Sequence, residues 1–182
     1  MKTSLVIIIA LVVGLAQAKD CVSPNGRFAV RAESVITLID VKTGQQLLVL
    51  NDNTSFLTRV EIAWSPDSTK VGMVTDARRG SGVYAAWLNG SSWHKTLERD
   101  SDLIGVIERA EKEFGGRLVA ENRTFHGWAT PDALRVQGTM HLTSGKQCQY
   151  RYLLEFHPNA VTHLDRGGYE EGAIVGKDFT ML

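Results

Sequence analysis

Two cysteines and four prolines are all that the 182 residues contain of either type. Charge of one sign is missing too, because 20 Lys plus Arg stand against 20 Asp plus Glu. A balanced chain without basic clusters has no electrostatic footprint for nucleic acid or anionic lipid, so the sequence excludes nucleic acid as a partner class. Beyond residue 15 no apolar run is long enough to cross a bilayer, and membrane insertion is not expected once that segment is removed. His94, His126, His141, His157 and His163 pair at none of the spacings zinc sites use, and neither cysteine belongs to a Cys-x-x-Cys. There is no G-x-S-x-G, no P-loop, no dinucleotide fingerprint and no H-E-x-x-H. The expectation is therefore no metal, no cofactor and no named catalytic residue.

What is present begins with the leader. Lys2 supplies a positive start, Leu5 to Leu15 is apolar, and Ala16-Gln17-Ala18 offers small residues at a cleavage site. Residues 1–18 read as a secretory signal peptide cleaved after Ala18, which places the mature chain outside the cell or in the periplasm. Removing Lys2 leaves residues 19–182 with a net charge of one negative, enough chain for a single β-rich domain. In an oxidising compartment an even pair of cysteines reads as a disulfide, so Cys21–Cys148 is expected to close most of the domain into one loop. The chain-entropy model assigns such a loop about 4–5 kcal/mol.

A turn signal recurs along the chain. Ser23-Pro24-Asn25-Gly26, Trp64-Ser65-Pro66-Asp67-Ser68 and Trp128-Ala129-Thr130-Pro131-Asp132 each precede a run of strand-forming residues. Proline presets φ for the second turn position, and the neighbouring Ser, Thr, Asn or Asp can accept from a nearby backbone N–H. Further strands and hairpin turns follow each signal, with Asn89-Gly90 the strongest of the latter. The pattern predicts four-stranded antiparallel meanders, in units of about 21–52, 58–99 and 124–165. Pro24 and Pro66 stand one propeller blade apart, roughly 40–45 residues, whereas Pro66 to Pro131 exceeds that by about twenty. The surplus, residues 100–116, carries Leu103, Ile107, Ala110 and Phe114 at helical spacing, so one inserted α-helix near 101–114 is expected.

These units resemble the WD40-like repeats of TolB-type (PD40) β-propellers. The resemblance rests on Trp64-Ser65-Pro66-Asp67, on the Ser23-Pro24-Asn25-Gly26 variant, and on Ile36 to Gly44. It covers residues 22–99 well and 124–165 loosely. Ser68 stands where the family's turn has glycine, and the third unit reads Thr130-Pro131-Asp132-Ala133. The resemblance implies an all-β fold of about three degenerate blades and favours a bacterial envelope, while the signal and the N-x-Ser/Thr triplets suit a eukaryotic host as well. Closed propellers need four or more blades. Three arrangements stay open: two chains closing a six-bladed ring, a distorted sandwich or barrel, and an open edge covered by the helix or a partner.

For function the expectation is a non-enzymatic binding or assembly module that contacts a protein partner or a second copy through its loops or an open sheet edge. The candidate binding loop is Asp76-Ala77-Arg78-Arg79-Gly80-Ser81-Gly82, with Asp76, Arg78 and Arg79 as its charged members. The alternative is a secreted hydrolase acting on polysaccharide or peptide, with His126, His157, His163 and Asp165 as its scattered groups. Ser81 reads as an ordinary loop serine. Trp64, Trp87, Trp93 and Trp128 are expected mainly in the core. Asn53, Asn89 and Asn122 each open an N-x-Ser/Thr triplet.

Overall fold

The computed structural model describes residues 20–78, 80–97, 104–156 and 180–181. Leader residues 1–18, Arg79, and the candidates His157, His163 and Asp165 lie outside the described residues. Among the described residues twelve strands form three antiparallel sheets, each a four-stranded meander, and one helix lies outside them. The first sheet joins β1 (Cys21–Val22), β2 (Phe28–Ala32), β3 (Ile36–Asp40) and β4 (Gln46–Asn51) in that order. The second joins β5 (Leu57–Trp64), β6 (Lys70–Ala77), β7 (Gly80–Asn89) and β8 (Ser92–Leu97). Helix α1 (Ile104–Phe114) follows, and then β9 (Leu118–Thr130), β10 (Ala133–Leu142) and β11 (Gln147–Glu155). In the third sheet the fourth strand is β12 (Thr180–Met181), paired with Cys148 and Gln149. The sheets do not close into a barrel, and the repeated meanders with one short helix match the all-β reading of the sequence.

The sheets stack, and alternation along the strands shows how. On β6, Val71 and Met73 face one core layer while Val74 faces the other; on β7, Ala86 and Ala85 divide likewise. The middle sheet is therefore apolar on both faces, as a sandwiched layer must be. Its first face packs on Phe28, Val30, Ile36, Leu38 and Leu50 of the first sheet. Its second face packs on Leu134, Val136, Met140, Tyr150 and Leu154 of the third. Val106, Ala110 and Phe114 bring one stripe of α1 into that second layer. The third sheet's outer face is polar: Gln137 and Thr139 alternate with buried neighbours, Arg135 and Arg151 are exposed, and Arg151 Nε donates to Gln137 at 3.0 Å.

This stacking corrects the expected disulfide. Cys21 lines the layer between the first and second sheets, Cys148 lines the layer between the second and third, and both are free and buried. A disulfide needs Cα atoms within about 7 Å, and here a whole sheet stands between the two. Burial instead pushes both thiols above the ordinary thiol range. They are packing residues, small and apolar in behaviour.

The first two of the recurring turns are equivalent bond for bond, whereas in the third Asp132 N donates to Thr130 Oγ1 at 3.2 Å. Ser23 donates its hydroxyl to Asn25 Oδ1 (2.9 Å) and accepts from Phe28 N (3.0 Å), while Arg27 N donates to Asn25 Oδ1 (3.0 Å). In the second unit Ser65 donates to Asp67 Oδ1 (2.6 Å) and accepts from Lys70 N (2.9 Å), while Thr69 N donates to Asp67 (3.0 Å). Burial works to raise the Asp67 pKa, but the donors on Ser65 and Thr69 and the Lys70 charge overcome it and hold the carboxyl at about 2. Neighbouring turns are also tied to each other. Ser68 adopts φ 62°, where glycine is the easy choice, and its buried hydroxyl accepts from Asn25 N at 3.0 Å. Lys70 Nζ reaches Asp132 of the third turn at 2.9 Å. The departure at Ser68 thus exchanges backbone ease for a bond between sheets.

Candidate functional site

The β6–β7 hairpin carries the candidate loop, and its base sits on a buried ionic network between the second and third sheets. Register places Asp76 opposite Ser81 and opposite Arg59 of β5. Asp76 is buried; Arg59 Nη1 lies 3.1 Å from its Oδ2, and the Ser81 hydroxyl donates to its Oδ1. Ser81 Oγ in turn accepts from Arg123 N of β9 at 3.0 Å. The hydroxyl is thereby used as a structural bridge from the hairpin to the third sheet.

Beneath this lies Glu61, paired with Arg59 and accepting from the Thr124 hydroxyl (2.6 Å) and Phe125 N (3.2 Å). Arg123, only 2% exposed, donates through Nη2 to Glu121 Oε2 (2.7 Å) and through Nε to Tyr150 Oη (3.2 Å). Three carboxylates and the Arg123 guanidinium are therefore withdrawn from water together, with the half-buried Arg59 beside them, each with a partner of opposite sign. Ions buried this way tolerate desolvation only when paired and hydrogen-bonded, so the network fixes how the second sheet seats on the third. Glu121 Oε1 and Arg59 Nε have no protein partner. Among the described residues, no group of three His, Cys, Asp or Glu side chains is arranged to hold a metal ion.

The structure thus splits the sequence-derived candidates. Asp76 belongs to the buried network, while Arg78 is exposed at the hairpin end. His126 is exposed on β9. The tryptophans pack as expected: Trp87 is buried, and Trp64, Trp93 and Trp128 lie against the two core layers. Trp64 Nε1 donates across the first seam to the Cys21 carbonyl at 2.9 Å. Arg59, Glu61, Glu121 and Arg123 belong to no motif of the sequence. Their one trace is charge at inward-alternating positions of otherwise apolar strands.

The fold and this seam define an open stack of blade-like meanders locked together by turns and by buried charge. No family model matches the chain, and no curated protein matches it. Two solved structures are similar in part. The complex of the fission yeast SREBP-SCAP binding domains matches at a TM-score of 0.36 and 12% identity, over 86% of this chain and 36% of that one. The WD40 domain of SCAP from fission yeast matches at a TM-score of 0.25 and 11% identity, over 82% of this chain and 45% of that one. The chain thus spans less than half the length of either, and the resemblance to a WD40-type repeat domain is weak and partial.

Proposed function

We propose that this protein is an exported, non-enzymatic module, built of TolB-type blades, that binds a protein partner or a second copy of itself. The observation that carries the reading is the unclosed array. Three sheets stack in a row, only the middle one has another described sheet on each face, and the terminal sheets keep an outer face apiece. On the outer side of the first sheet, Val22, Ala29 and Ile39 stand in register; Ala29 and Ile39 are buried, and Val22 at the β1 edge is 49% exposed. Blade-like sheets normally bury both faces against neighbours, so an array ending this way is suited to assembly. Buried charge at the seam keeps the array rigid enough to present its loops in fixed places.

Light scattering on purified residues 19–182, combined with cross-linking in extracts of the producing cell, tests this reading. The expected result is a particle containing a second copy or one stoichiometric protein partner. A single-chain particle at all concentrations, cross-linking to nothing, would sink it. Export is tested separately, by sequencing the N-terminus of the secreted chain; a chain still beginning at Met1 inside the cell contradicts it.

A further inference from the structure

The tip of the β6–β7 hairpin violates the local rule for its length. Ala77 pairs with Gly80, which leaves two residues of the sequence between the strands, both arginine, where Asn-Gly, Asp-Gly or Gly-X suits the strand twist best. The next hairpin of the same sheet uses a suited connection, Gly90-Ser91 between the paired Asn89 and Ser92, with Gly90 taking φ 62° at the first turn position. Positions that break a local preference without a packing gain are where function is expected. No packing gain is visible at Arg78, which is exposed and has no carboxylate partner among the described residues.

The acid that the sequence places two residues away does not neutralise this tip. Asp76 is already paired with Arg59 and Ser81 underneath. The loop therefore shows solvent a cation rather than a balanced pair. At the same end of the sheet stands Phe56, 73% exposed, the most exposed large apolar side chain among the described residues. Phe56 immediately precedes Leu57, whose register partner is Ala77, the residue before Arg78. Register thus brings an exposed aromatic ring and an unpaired guanidinium to the same end of the second sheet. The base below them is clamped through Ser81 to β9, so little ordering remains to be done on binding. An aromatic anchor beside arginine is the composition of binding hot spots.

We propose that Phe56 and Arg78 form a docking point for an acidic protein segment, with an apolar side chain on the ring and a carboxylate on the guanidinium. This rests on the binding-module reading and names the partner's chemistry. Planar guanidinium–carboxylate pairing supplies direction, and the exposed ring supplies apolar area.

The test uses residues 19–182 and a fluorescein-labelled ten-residue peptide of Glu and Asp around a central Leu-Leu pair. A matched peptide with Lys for each acid serves as control. Saturable binding of the acidic peptide alone is expected, weakening as salt rises. Arg78→Glu and Phe56→Ser should each weaken it about tenfold or more with unchanged thermal melting, since both side chains are exposed. No saturable binding up to about 1 mM, equal binding of both peptides, or an unaffected Arg78→Glu variant overturns the proposal. Complete displacement by inorganic phosphate at about 10 mM also overturns it, because the site would then read phosphate. Association that survives Arg78→Glu leaves the module reading standing and removes only this site. Peptide binding by a chain that never assembles does the reverse.

Discussion

Replacing Gly138 with alanine adds one methyl group at the tightest point of the third sheet. A Cβ there would lie 2.1 Å from Tyr150 Cζ, 2.2 Å from Cε1 and 2.4 Å from the hydroxyl, well inside contact distance. Tyr150 is 1% exposed, pairs with Gly138 in register, and accepts from the buried Arg123 guanidinium. The ring cannot swing outward without breaking that bond and loosening the seam. Overpacking costs about 1–3 kcal/mol and a lost bond to a buried charge about 1.5–3 kcal/mol, so a total of about 3–5 kcal/mol is expected. For a domain of this size that lowers Tm by roughly 6–20 °C. Urea unfolding of Gly138→Ala, alone and combined with Tyr150→Leu, measures it; the double variant should recover about 1–2 kcal/mol of coupling. A single variant within about 0.5 kcal/mol of the parent would refute the claim that the ring needs that glycine.

Further expectations concern the turns, the seam and the thiols. Ser68→Ala keeps the strained backbone and loses the bond to Asn25, and should cost about 1–2 kcal/mol; Ser68→Gly relieves the strain and should cost less, both by urea unfolding. Asp67, held at about 2 when folded, contributes stability above its unfolded value near 3.8 that is lost as pH falls through the folded one. Because its side chain is 45% exposed, solvent screening trims this to about 1 kcal/mol, and Asp67→Asn should flatten the stability profile between pH 4 and pH 2 as followed by circular dichroism. Native protein should leave Cys21 and Cys148 unalkylated until denaturant is added, with melting unaffected by reductant; protection that disappears only after reduction would contradict two free thiols.

Much of the fold was legible because its signals are local. A hydroxyl, a proline and an Asn or Asp side chain in the first two turns state their own hydrogen bonds, so Ser23 and Ser65 announce equivalent structures without any knowledge of the stack. The helix was equally plain from Ile107, Ala110 and Phe114. Contacts between sheets were not legible. An even cysteine count carries no distance, and so it could not reveal that Cys21 and Cys148 line layers on opposite faces of one sheet. Asp76 read as a loop charge because nothing adjacent in sequence shows Arg59 beside it across a strand pair. Glu61 and Arg123 pair with residues on other strands, where sequence offers only an odd charge in an apolar alternation. The same limitation hid Phe56, which joins Arg78 through register alone.

The central claim, that this open stack exists to associate, is tested most directly by the native mass of residues 19–182 across a dilution series, with any co-purifying species identified. The account predicts a mass above one chain, from a second copy or from one partner in fixed proportion. A single chain at every concentration, with no stoichiometric companion from its own host, would contradict it.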